Sequence, residues 1–112
     1  MPAAYSNLYL EQGTSFNTTI TLDDVYGEVY DLSGYTAHSQ MRKSYYSSNA
    51  TAIFSTTINH GSGLIILDLD APTTANIKAG RYVYDVVITD PMVGTTTRVL
   101  EGIIEVSPRV TR

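Results

Sequence analysis

Hydrophobic and polar residues alternate along most of this chain, and the alternation divides it into short segments. In residues 15–22, Phe16, Thr18, Ile20 and Leu22 share one parity while Asn17, Thr19 and Thr21 share the other. Side chains two positions apart point to the same side of an extended backbone, so this is the pattern of a half-buried β-strand. Residues 35–43 repeat it, with Tyr35, Ala37, Ser39 and Met41 on the core side and Thr36, His38, Gln40 and Arg42 facing outward. Residues 52–58 align Phe54, Thr56 and Ile58 in one strand, and residues 64–69 turn Ile65, Leu67 and Leu69 inward. Shorter extended runs are expected at 7–11, where Leu8 and Leu10 share a face, and at 26–30.

Near the C-terminus two longer runs face each other. Tyr82, Tyr84, Val86 and Ile88 form one apolar face, and Leu100, Gly102, Ile104 and Val106 form its match. Asp90, Pro91 and Gly94 between them predict a hairpin turn. Residues 72–77 break the alternation. A proline, short polar residues and a terminal Ile77 predict one helical turn that plugs an end of the fold.

The tally is about seven or eight short strands with turn signals every eight to twelve residues, the mark of an antiparallel sandwich or barrel. Glycines fall at the turns, except Gly102, which sits inside a strand and predicts a bulge or close packing beneath a Tyr ring. The expected core includes Phe16, Ile20, Met41, Phe54, Leu67, Tyr82, Tyr84 and Ile104.

Composition narrows the picture. At 112 residues the chain is expected to form one domain over 1–112, large enough for a single core. Cysteine is absent, which removes disulfides and thiolate metal sites. The net charge is −4 with only 7 Lys and Arg, the opposite of the basic face a nucleic-acid binder presents. No apolar run approaches the length of a membrane-spanning helix, and the start lacks the basic and apolar regions of a signal peptide. Nine tyrosines favour strands, and charged residues make up 16% of the chain, below the usual quarter. So uncharged a surface suits one partly covered by a partner.

Candidate chemistry is sparse, and the chain reads as non-catalytic. His38 falls on the outward parity of its strand and His60 in a Gly-rich turn, and no Gly-x-Ser-x-Gly elbow accompanies them. Asp68 and Asp70 share a strand face and could hold calcium together, but the same parity fits a solvated surface, and Asp23-Asp24 lacks the ligand series of a calcium loop. With no nucleotide-binding glycine motif, no cofactor is expected. Tyr26, Tyr30, Tyr45 and Tyr46 flank turns and form the candidate contact surface, since an exposed phenol offers both area and a polar handle to a sugar or a protein.

Several motifs taken together carry a resemblance. They are Gln12-Gly13; Asp31-Leu32-Ser33-Gly34-Tyr35-Thr36-Ala37; Gln40-Met41-Arg42-Lys43-Ser44; Thr74-Ala75-Asn76-Ile77-x-Ala79-Gly80-x-Tyr82-x-Tyr84-Asp85; and Leu100-Glu101-Gly102-x-Ile104-x-Val106. Across residues 7–111 the chain resembles the small immunoglobulin-like β-sandwich domains of tailed-phage virions, including the amino-terminal domain of the phage baseplate upper protein family. Similar short proteins belong to phages of cyanobacteria and other marine hosts. The resemblance implies an all-β immunoglobulin-like sandwich and a virion structural role in tail, baseplate or fibre. It also implies assembly with other virion proteins or as a homo-oligomer. The chain departs from the family by ending after one domain, without a stalk or receptor-binding head. The alternative is a particle-decorating module that grips a host-surface glycan or protein through its Tyr-bearing loops.

Overall fold

The alternating segments fold into two packed sheets. The computed structural model describes residues 4–21, 34–59 and 63–110. The strands are β1 (Ala4–Tyr5), β2 (Leu8–Glu11), β3 (Phe16–Thr21), β4 (Thr36–Arg42), β5 (Ala52–Ile53), β6 (Ser55–Asn59), β7 (Leu64–Leu69), β8 (Gly80–Asp90) and β9 (Thr95–Ser107), with one short helix, α1 (Ala71–Ala75). The larger sheet runs β1-β9-β8-β4-β5, with β2 also on β9, and the smaller runs β3-β7-β6. This is an all-β sandwich. The expected run at 26–30 lies outside the described residues.

Burial follows parity. Met41, Phe54, Leu67, Tyr82, Tyr84 and Ile104 are buried together with Leu10, Ile65, Val86 and Ile88, while Phe16 and Ile20 are half-buried against the same cluster. The Phe16 and Phe54 rings meet with centroids 5.9 Å apart, tilted by 51°. Among the described residues no buried side-chain nitrogen or oxygen lacks a hydrogen-bond partner.

Three features depart from simple alternation. First, β1 and β2 run parallel to β9, pairing Ala4 with Leu100 and Leu8 with Ile104, whereas the rest of the pairing is antiparallel. Strand β2 leads across to the other sheet instead of into a hairpin, so no tight turn dictates its direction, and the intervening chain supplies the long connection that parallel pairing needs.

Second, the single strand expected over 52–58 is split. Ala52 and Ile53 pair with β4 in the larger sheet, and Ser55 to Asn59 pair with β7 in the smaller. Phe54, between them, buries its ring while its N–H donates to the Ser39 carbonyl at 3.0 Å. The chain changes layers at this corner, a device by which sandwich strands join both sheets.

Third, the β8–β9 register slips. Val86 pairs with Leu100 but Val87 with Arg98, leaving Val99 as the extra residue of a β-bulge.

Helix α1 closes one end of the sandwich. The Asp70 Oδ1 accepts from the Thr73 N–H at 3.0 Å, capping the first turn. The buried Thr74 hydroxyl donates to the Thr14 carbonyl at 2.7 Å, and Ile77 fills the core behind it.

Candidate functional site

The outer face of the larger sheet carries exposed aromatic and aliphatic side chains, while Met92 and Val93 are exposed in the β8–β9 turn and Val110 after β9. Parity places Val83, Asp85 and Val87 of β8 outward between Gln40 and Arg42 of β4 and Glu101, Ile103 and Glu105 of β9. On one flank, parallel pairing sets Tyr5 beside Glu101 and Tyr9 beside Glu105, leaving the two tyrosines 61% and 71% exposed. On the other flank stands the exposed Ile53. The outer face of the smaller sheet differs. There Asn17, Thr19, Thr21, Ser55, Thr57 and Asn59 are exposed on the two flanking strands, with Leu64, Ile66 and Asp68 of β7 half-buried between them.

The bulge at Val99 adds a charge. Unbroken alternation from Leu100 would point Arg98 into the core, where an unpaired guanidinium is prohibitively costly. The extra residue turns Arg98 outward beside Val87. Its Nε lies 3.5 Å from the Asp85 carboxylate, and its Nη1 donates to Glu101 Oε2 at 2.9 Å. The Glu101 hydrogen bond and then the Asp85 charge raise the Arg98 pKa above its ordinary value. A second pair, Arg81 to Glu105 at 3.0 Å, lies on the Tyr9 side. Both clusters are solvated, so they order side chains more than they stabilise the fold.

The segment after β4 folds back over this face. Arg42 Nη1 donates to the Ser47 carbonyl at 2.9 Å, and its Nη2 donates to Gln40 Oε1 at 2.9 Å. The Ser47 N–H returns to the Ser44 carbonyl at 3.2 Å, closing a turn. That turn holds Tyr45 above the sheet, 60% exposed and within electrostatic reach of Arg98. Beneath it lies an open hollow of about 320 Å3, lined by Gln40, Arg42, Tyr45, Val83, Asp85 and Arg98.

Of the tyrosines expected at a contact surface, Tyr45 fronts this hollow. Tyr46 is 97% exposed and lies outside its lining. Tyr26 and Tyr30 lie outside the described residues, as do His60, Asp23 and Asp24. His38 is exposed on the outer face of β4. The Asp68 carboxylate accepts from the Asn17 amide, and Asp70 is occupied as a helix cap. Among the described residues no cluster of three or more His, Cys, Asp or Glu could hold a metal ion.

Sequence reasoning missed Tyr5, Tyr9 and Arg98 as surface contributors. The signal for Arg98 was present, since an arginine at a core parity implies a bulge. The positions of Tyr5 and Tyr9 depend on the parallel edge, for which the alternation holds no sign.

No protein-family model matches this sequence, and a comparison with curated proteins finds no match either.

Proposed function

We propose that this chain is a non-catalytic structural and interaction module of a tailed-phage particle, a component of tail, baseplate or fibre that works in the virion after assembly in the host cytoplasm. The reading rests on the motif resemblance, and the all-β sandwich agrees with the fold that resemblance implies. The observation that carries it is the exposed Tyr5 and Tyr9 on the flank of the Ile103–Val83 pair on an outward sheet face, in a chain with only 16% charged residues. Exposed aromatics beside an aliphatic pair, set among solvated ion pairs, give this face the area and polar handles of a protein contact.

The partners are further copies of this chain and other virion proteins. The body measures 45 × 28 × 22 Å, so its broad face can supply the roughly 800 Å2 per partner of a standard interface. Nucleic acid is a poor partner for a surface of net charge −4. No helix among the described residues is long and apolar enough to cross a membrane.

Light scattering behind a sizing column tests the reading. The expected result is a closed oligomer at a multiple of the 12.3 kDa chain mass, shifted to monomer by Tyr5→Ser with Tyr9→Ser. A monomer at all concentrations, or an oligomer indifferent to both substitutions, would overturn assembly of copies through this face.

A further inference from the structure

We propose that the hollow beneath Tyr45 is a subsite for one neutral pyranose unit of a surface glycan. A pyranose offers two kinds of surface, an apolar face of C–H groups and a rim of hydroxyls that both donate and accept. The hollow supplies a counterpart to each. The exposed Tyr45 ring and the half-exposed Val83 are the apolar elements. Gln40, Arg42, Asp85 and Arg98 are the polar ones, and they include both donors and acceptors.

These polar groups are held in place before any ligand arrives. Arg42 is fixed by the Ser47 carbonyl and Gln40, and Arg98 by Asp85 and Glu101. Planar guanidinium and carboxylate groups locked by neighbours lose little freedom on binding, which suits a small and weakly held ligand. Gln40 Oε1 accepts from Arg42, which directs the amide Nε2 to the remaining donor role.

Charge selects the class of sugar. Within the lining Arg98 is paired with Asp85, and Glu101 just outside it takes the other side of the same guanidinium, while Arg42 is engaged by the Ser47 carbonyl and Gln40, so neither arginine is without a partner. A uronic acid, a sialic acid or a phosphate would meet Asp85 as a repulsive neighbour and would have to compete with Asp85, Glu101 and the Ser47 carbonyl for the two guanidiniums, whereas a neutral hexose can use the donors and acceptors left over without displacing them. The lining also argues against a protein segment, because the centre of a protein contact is depleted of charge and this hollow is mostly charged and polar. Of the residues that carry the assembly reading, Tyr5, Tyr9 and Ile103 lie outside the hollow and Val83 is shared with it, so substitutions at Tyr5 and Tyr9 on one side and at Tyr45 on the other test the two proposals separately.

The test is a titration of the full, isotope-labelled chain followed by amide NMR shifts. The probes are glucose, galactose, mannose and N-acetylglucosamine, with glucuronate and inorganic phosphate as charged comparisons. At least one neutral sugar is expected to give saturable shifts confined to Gln40, Tyr45, Asp85 and Arg98 and their neighbours, with a dissociation constant on the order of 1 mM. Tyr45→Ala should weaken that binding about tenfold or more, and Tyr45→Phe should hold it within about threefold, since stacking uses the ring. Tyr46→Ala should leave it unchanged. Tyr45 is exposed, and an unaltered amide spectrum outside the hollow will show that each variant is folded. The proposal is overturned if no neutral sugar shifts these residues, if glucuronate or phosphate binds there in preference, or if Tyr45→Ala binds as the parent does. Light scattering on Tyr45→Ala separates this outcome from the assembly reading, because the oligomeric mass should not move.

Discussion

Gly102 is a glycine because the Ser6 carbonyl fills the space in which a Cβ would sit, with the Tyr84 ring 3.2 Å from the same point. Ser6 is tied there from two directions. Its N–H donates to the Glu101 carbonyl at 2.9 Å, and its own carbonyl accepts from the Tyr84 hydroxyl at 2.6 Å. Replacing the glycine must push the N-terminal segment off β9. Gly102→Ala is therefore expected to cost about 2 kcal/mol or more in chemical denaturation, with β1 and β2 losing amide protection first. Tyr84 sets a second expectation. Burial pushes its hydroxyl up to about 12 from an ordinary value of 10.0. Because the folded value is raised, the stabilisation from this group is complete below pH 10.0 and is lost as pH climbs through about 12. The thermal midpoint should fall across that window, and Tyr84→Phe should flatten part of the fall while lowering the neutral-pH midpoint through the lost hydrogen bond, worth about 1 kcal/mol. A midpoint that falls identically in the variant would remove Tyr84 from the account.

At the scale of elements, the bulge at Val99 decides where β9 presents its charge. Deleting Val99 would restore unbroken pairing and drive Arg98 toward the interior or force a slip of the outer half of the hairpin. The expected loss is about 3 kcal/mol or more, read as a lowered denaturation midpoint, and pairing Val99 deletion with Arg98→Val should recover part of it. Most of the longer strands were legible in the sequence because their inner faces are largely apolar at alternate positions, as in Ile65, Leu67 and Leu69 or Val86 and Ile88, whereas the two-residue β1 was not foreseen. Helix α1 was legible because Pro72 and the terminal Ile77 leave little else for that segment to be. Pairing direction and layer changes were not. Strand β2 has the same alternation whether it pairs parallel or antiparallel, and Phe54 keeps the parity of its neighbours while the backbone passes from one sheet to the other. Of the hollow, Tyr45 could be singled out as an aromatic beside a turn, but its companions Asp85 and Arg98 come from strands distant in sequence and meet only through the bulged register.

At the scale of the whole molecule, the two outer faces divide the work. The smaller sheet shows water threonine, serine and asparagine on its two flanking strands with Leu64, Ile66 and Asp68 half-buried between them, and the larger sheet carries Tyr5, Tyr9 and the ordered arginines. This asymmetry makes the larger sheet the side on which both proposed contacts fall, on opposite flanks. The same sheet is also the one that joins the two ends of the chain, since Ala4 pairs with Leu100 and Glu11 with Ser107. That closure has a consequence in time. On a chain synthesised from its N-terminus, β1 and β2 emerge first and β9 last, so the earliest strands wait for their partner until almost all of the domain has been made. Pairing across so long a separation in sequence is paid in loop-closure entropy before any contact rewards it, which places this fold among slow folders. During that wait Leu8 and Leu10 have no core to enter, and the growing chain carries an unpaired apolar edge that only the final strand covers.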